Sequence, residues 1–202
     1  MSRPIAFFDF DGTITTKDTL LEFIKFSKGN LAFYIGFALN SPWLIAYRLK
    51  LISNQKAKER ILTWFFHNMS LTAFQQSCDE FAQTRIPALI RPKALHEIRQ
   101  LRDKGVAVVI VSASPENWLH LWTRDIEAKL LATKLETNQL KGDSRITGKI
   151  HGLNCHGQEK VRRIMEAFPA SDYDILYAYG DTSGDKPMLA LAAHPFFKPF
   201  RS

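Results

Sequence analysis

The chain has 202 residues, 46% of them hydrophobic and 23% charged. This is an ordinary globular balance, with enough chain for one sizeable core and a smaller second unit. The net charge of +7 points to acidic partners, but no dense Lys/Arg block is present, so nucleic acid is not expected. Cys78 and Cys155 are far apart and form no Cys-x-x-Cys pair, which excludes a disulfide framework and fits a reducing, cytoplasmic setting. No leader is expected ahead of the first strand.

The apolar run Ile5-Ala6-Phe7-Phe8 predicts a buried first strand. Helical patterns follow over Thr19–Lys28, Leu31–Leu39, Pro42–Ile52, Gln55–His67 and Leu71–Thr84. Ser41 before Pro42, and Ser70, read as N-caps. Arg91-Pro92 opens a helix that runs to Lys104 and ends at Gly105. Val106–Val111 is continuous and apolar, as in a parallel strand covered on both faces. A helix over Glu116–Arg124, a strand over Leu130–Leu135 and a hairpin over Gln139–Ile150 around Lys141-Gly142-Asp143 come next. A helix over Gly157–Phe168, a strand over Ile175–Tyr179, a helix over Lys186–Ala192 and a last strand at Pro195–Phe197 complete the order. The alternation predicts an α/β fold with a doubly wound parallel sheet and an inserted all-helical cap. The core is expected at 1–15 and 88–202 and the cap at 16–87.

Four segments carry chemistry. Asp9-Phe10-Asp11-Gly12-Thr13 follows the first strand, where period-two geometry aims both carboxylates the same way and Gly12-Thr13 offers backbone N–H groups to an anion. Ser112-Ala113-Ser114 ends the second core strand and lets backbone N–H groups approach phosphate oxygens. Lys160 lies in the first turn of a helix, the wrong sign for the helix dipole unless an anion is near. Gly180-Asp181-Thr182-Ser183-Gly184-Asp185 places two carboxylates four residues apart after another strand. Open α/β sheets bind ligands along this edge, and Mg²⁺ takes few protein oxygens plus phosphate and water. Asp9, Asp181 and a backbone carbonyl at Asp11 are the expected ligands.

In order and spacing these segments resemble the four motifs of the haloacid dehalogenase-like hydrolases, over essentially the whole chain. The cap position, Asp18 and the Gly-Asp-x-x-x-Asp-x-Pro-Met ending are similar to the phosphoserine phosphatase-like branch. The resemblance implies a phosphomonoesterase in which Asp9 forms an aspartyl-phosphate and Asp11 acts as acid and base. Mg²⁺ neutralises charge, and Lys160, Ser112 and the N–H groups near Gly12 and Ser114 hold the phosphoryl oxygens. The resemblance also implies a part for Asp185 in orienting metal-bound water or Lys160. A dehalogenase needs neither Asp11 nor a metal, so Asp11 argues for phosphate chemistry.

Substrate choice is expected from the cap, whose stretch 14–91 carries ten basic against five acidic side chains. Gly29–Tyr47 holds no charge and is cut at Asn40-Ser41-Pro42 into two pieces too short to span a bilayer. Two readings stand: an apolar cap core, or a hairpin dipping into an anionic membrane surface with Trp43, Tyr47 and flanking cations as anchors. The Trp- and Phe-rich cap is similar to that of type C phosphatidylglycerophosphate phosphatases. Phosphoserine phosphatases usually carry Ser at the position of Gly12, Glu at that of Asp18, and a cap Arg for the substrate carboxylate, a role open here to Arg60. The expected substrate is therefore a small-molecule or lipid-linked phosphate monoester. A phosphoserine or other metabolite phosphatase, a phosphotransferase and a non-catalytic peripheral membrane module are the alternatives. No obligate protein partner is expected.

Overall fold

The computed structural model describes residues 2–140 and 142–201. Its central sheet is built from β1 (Arg3–Phe8), β2 (Ala107–Pro115), β3 (Lys129–Thr133), β6 (Tyr173–Gly180) and β7 (His194–Phe197), in the order β3-β2-β1-β6-β7. Every pairing in it is parallel. Strands are added first on one side of β1 and then on the other, so the topological switch falls at β1, and its carboxyl edge is where a ligand is expected. Alternation along β1 divides the core. Ile5 and Phe7 face one apolar cluster with Val109, Val111, Ile164 and Met188, while Ala6 and Phe8 face the other with Val108, Ile110 and Trp118.

Between β1 and β2 the chain forms α1 (Thr19–Leu39), α2 (Ser41–Arg48), α3 (Asn54–Phe66), α4 (Leu71–Thr84) and the single turn α5 (Ile86–Leu89). Helix α6 (Pro92–Asp103) then leads into β2, and α7 (Glu116–Asp125) follows it. Both pack on the Phe8 side, whereas α8 (Gln158–Ala167) and α9 (Lys186–Leu189) cover the Phe7 side. The sheet is thus doubly wound as expected. The two strands of chain that join the insert to the core are tied together: Thr16 N donates to Leu89 O at 2.8 Å and Arg91 N to Ile14 O at 2.8 Å.

The expected helices over Thr19–Lys28 and Leu31–Leu39 are one element with a break at Gly29 (φ 81°, ψ 161°). The N-cap of α2 is Asn40, one residue before Ser41. Its side chain turns back to Gly36 O, while the Ser41 hydroxyl donates to Ala38 O. The hairpin is longer than expected, with β4 (Leu135–Leu140) antiparallel to β5 (Asp143–Ile150); its expected residue Lys141 lies outside the described residues. It also gives the helical insert a β companion. Gly148 adopts φ +81° and approaches α3 so closely that a Cβ there would lie 2.3 Å from Thr63 Cα. Ser70 and Arg145 form a further bridge. Among the described residues no helix is long and apolar enough to cross a membrane.

Candidate active site

Asp9 emerges at the end of β1, its N–H still donated to Tyr179 O of β6. Its Oδ1 accepts from Lys160 Nζ at 2.6 Å and its Oδ2 from Thr13 Oγ1 at 3.0 Å. Lys160, carried inward by the first turn of α8, also donates to Asp185 Oδ1 at 2.7 Å and has 1% of its side chain exposed. Burial opposes its charge, but Asp9 and Asp185 hold its pKa above the ordinary lysine value. Burial pushes Asp9 up to about 7, with Lys160 pulling the other way. A divalent cation facing that carboxylate would favour its charged form.

The loop after β6 is ordered by Asp185. Its Oδ2 accepts from Asp181 N at 3.2 Å, Thr182 N at 2.9 Å and Thr182 Oγ1 at 2.7 Å, which closes a capping box. Although burial raises its pKa, Lys160 and Thr182 hold it below the ordinary carboxylate range. Asp181 accepts from Thr13 Oγ1 at 3.3 Å and pairs with Arg201. Gly12 has φ +82°, and a Cβ on it would meet Asp181 Oδ2 at 2.5 Å, so glycine is required for the first and fourth segments to close on each other.

Asp11 points elsewhere. Thr19 N and Oγ1 donate to its Oδ1 at 2.7 and 2.6 Å, and Ser114 and Ser112 hydroxyls to its Oδ2 at 2.7 and 3.4 Å. Ser112 Oγ also accepts from Ser114 N at 3.0 Å. Trp118 Nε1 donates to Thr19 Oγ1 at 3.1 Å, so a core indole helps orient the residue that holds Asp11.

A cavity of about 300 Å³ opens over these groups. It is lined by Asp9, Asp11, Asp18, Ala113, Ser114, Lys160 and Asp185, together with Leu20, Tyr47, Asn54, Lys58, His156, Thr182, Ser183 and Gly184. Asp18 caps α1 by accepting from Leu21 N and stands at the rim; loss of hydration and the nearby Asp11 charge push it up to about 6. Gly12, Thr13, Ser112 and Asp181 support the site from behind. Arg60 is not brought here. Its Nε donates to Asn40 Oδ1 at 2.9 Å, its guanidinium lies over the Trp43 ring at 5.4 Å, and it lines a separate cavity with Lys56 and Lys149. The cap cation in the pocket is Lys58. Asn54 and Lys58 are one helical turn apart on α3 and share a face, while Arg60 lies round the helix from them. His156 also lines the pocket; its ring packs on Gly184, where a Cβ would lie 2.3 Å from Nε2.

The donor set fits a hard divalent cation. One oxygen each from Asp9, Asp181 and Asp185 lies within 4.8 Å of the others. All three carboxylates are buried, and the only cations paired with them among the described residues are Lys160 and Arg201. Both oxygens of each carboxylate are engaged, but Asp185 accepts from four donor groups against two each at Asp9 and Asp181, which makes Asp9 and Asp181 the freer donors. The Asp11 carboxylate is turned to Thr19 and Ser114 and is not one of the three.

Residues 6–190 match the family model of haloacid dehalogenase-like hydrolases. The chain belongs to this family. Among curated relatives, protein CicA of Caulobacter vibrioides is 37% identical over 195 residues, 96% of this chain and 85% of that one. A probable phosphatase of Mycobacterium tuberculosis, Rv3661, is 27% identical over 96% of this chain and 68% of its own length. Among solved structures, a protein of unknown function from Bordetella pertussis Tohama I superposes with TM-score 0.76 at 20% identity, covering 94% of this chain and 87% of that one. A phosphoserine phosphatase in apo form gives TM-score 0.64 at 13% identity over 95% and 84%. These solved structures share the fold.

Proposed function

We propose that this hydrolase is a Mg²⁺-dependent phosphomonoesterase acting through an aspartyl-phosphate on Asp9. The observation that carries the reading is the buried ammonium of Lys160 fixed between Asp9 and Asp185, beside Asp181, at the switch point of a parallel sheet. Such an arrangement suits a dianionic phosphoryl group and a carboxylate nucleophile meeting in a water-poor site.

Asp9 attacks phosphorus, the bond to the leaving oxygen breaks, and Asp11 gives that oxygen a proton. Asp11 then takes a proton from the water that hydrolyses the Asp9 ester. Thr19 and Ser114 keep Asp11 on the leaving-group side. Lys160 holds equatorial oxygens and Asp185 holds Lys160, whereas the N–H groups of Gly12 and Ser114, expected in the same role, donate to Thr15 Oγ1 and Ser112 Oγ. Asp9, Asp181 and the Asp11 carbonyl would hold Mg²⁺, which when bound supplies charge neutralisation between carboxylate and phosphoryl group. Lys58 faces the phosphoryl group from the leaving-group side, while Arg60, to which the sequence left open the role of holding a substrate carboxylate, lines a different cavity.

The leaving group that fits best is amphiphilic, with phosphatidylglycerophosphate as the type case. Leu31, Ile45, Leu49 and Leu51 stand 58–76% exposed along α1, α2 and the loop after it, beside half-exposed Trp43. Residues 23–58 contain six basic and no acidic side chains. Interfacial aromatics with flanking cations suit peripheral contact with an anionic membrane. Tyr47 belongs both to this face and to the pocket lining, so an apolar tail running along α2 leaves its phosphoryl end at Asp9.

A phosphate-release screen tests this reading across phosphoserine, sugar phosphates, nucleotides and vesicle-borne phosphatidylglycerophosphate, each with Mg²⁺ and with chelator. Turnover that disappears with chelator and is fastest on the lipid is expected. Fast phosphoserine turnover with no lipid activity overturns the amphiphilic substrate, and no turnover of any phosphate overturns the phosphatase.

A further inference from the structure

Asn154 lies in the loop between β5 and α8, the same segment that delivers Lys160, and is buried. Both ends of its side-chain amide are engaged. Oδ1 accepts from Thr133 Oγ1 at 2.9 Å and from Lys58 Nζ at 3.3 Å, while Nδ2 donates to Asn54 Oδ1 at 2.6 Å. Its backbone N–H donates to Gln55 Oε1 at 3.1 Å. The amide orientation follows from chemistry: an ammonium only donates, so the atom facing Lys58 is the oxygen. Asn54 passes the order on, its Nδ2 donating to Tyr47 OH at 3.0 Å.

Lys58 is the group served by this network. Its Nζ also donates to Ala113 O at 2.9 Å, and among the described residues it makes no ion pair. Two neutral oxygens therefore hold a cation at the pocket wall, with its remaining N–H free for the ligand. Burial pushes its pKa below the ordinary lysine value, while Asp11 and Asp18 pull it back. A poorly hydrated ammonium with no carboxylate in contact is costly unless an anion completes it. The chain could have placed an aspartate beside Lys58, but that would have neutralised the charge the substrate needs. An asparagine fixes the position and leaves the charge without a contact partner.

We propose that Asn154 is a positioning residue: it aims Lys58 at the substrate and, through Asn54 and Gln55, docks the first turn of α3 on the core, so that the insert side of the pocket is complete only in the docked state. This rests on the phosphatase reading, because it assigns Lys58 an anionic ligand. Asn154→Asp and Asn154→Ala should reach the same loss by different routes. The aspartate keeps Lys58 in place but pairs with it, whereas the alanine releases it.

The test uses the full chain with Mg²⁺, p-nitrophenyl phosphate turnover, and calorimetric binding of inorganic phosphate as a readout independent of turnover. Both Asn154 variants should raise KM and weaken phosphate binding by about 10–100-fold, the usual range for residues that orient a ligand-binding group, with a smaller change in kcat. In a Lys58→Met background, Asn154→Ala should add little further to KM, because its route of action is gone. Thermal melts of all variants, and the nearly isosteric Asn154→Asp, separate misfolding from mispositioning. Unchanged KM in folded Asn154 variants, or effects that multiply with Lys58→Met, overturn the proposal while leaving the phosphatase intact. A wild-type chain that neither turns over nor binds phosphate overturns both.

Discussion

Lys160 and Trp43 depart from the usual rule of polar outside and apolar inside in opposite directions. Lys160 is an ammonium with 1% of its side chain exposed, and Trp43 is an indole nearly half open to water. The first departure is balanced within the chain: Asp9 and Asp185 each accept a short hydrogen bond from Lys160, and Thr13 and Thr182 satisfy the remaining oxygens. The second has a cation from Arg60 over its ring, but the apolar side chains around it face solvent. An internally balanced departure marks a place where chemistry is held ready. One left open is where the proposed membrane contact would fall.

The comparison can be broken most forcefully at the ionic end. Asp9→Asn should lower turnover by on the order of 10⁴-fold or more, as loss of a covalent nucleophile does, with the fold retained, because a buried carboxylate whose pKa is pushed up to about 7 gives way to a neutral amide. Phosphate release and a melting curve read the two effects separately; near-normal turnover would remove Asp9 from its role. The next effect contrasts the base of the insert with its tip. Phe23 packs against Phe66, Phe74, Phe81 and Trp118, so Phe23→Ala should cost about 3–5 kcal/mol in urea unfolding. A third prediction concerns pH. Glu159 is paired with Arg162 and Arg163, and these hydrogen bonds hold its pKa at about 2, below the ordinary 4.5. Its stabilisation is complete above pH 4.5 and is lost as pH falls through 2. Glu159→Gln should therefore cost about 1–2 kcal/mol at pH 7 and close to nothing near pH 2, as measured by unfolding at the two values. The smallest effect on stability belongs to the tip: Ile45→Ser with Leu49→Ser should change unfolding by no more than about 0.5 kcal/mol, yet reduce co-sedimentation with phosphatidylglycerol vesicles. Strong destabilisation by this pair would show that the face is already covered within the fold.

The sequence made the parallel sheet readable because runs such as Ile5–Phe8 and Val106–Val111 are apolar at every position, which only strands covered on both faces require. The four segments of the site were readable for a related reason: each follows a strand or opens a helix, so one-dimensional order fixes its place on the carboxyl edge. The choice between Lys58 and Arg60 was less accessible. Both lie on one helix, and deciding which faces the pocket requires knowing how α3 rotates about Ala57, Ile61 and Phe65 as they enter the core. The spacing of Asn54 and Lys58 was the available signal. Asn154 left no such mark, since a buried asparagine in a loop is indistinguishable in sequence from an exposed one. The docking of the hairpin on α3 was equally hidden, because it depends on Gly148 meeting Thr63 from a distant part of the chain.

Trp118 ties these regions together. One face of its indole stacks on Phe23 of the insert, and its N–H steadies Thr19, which in turn grips Asp11. Grafting a foreign insert onto this core would strip that ring of its neighbour and set the carboxyl proposed to transfer the proton adrift, even with every aspartate left in place. In this lineage the shape of the insert and the competence of the acid–base step would have to be inherited together.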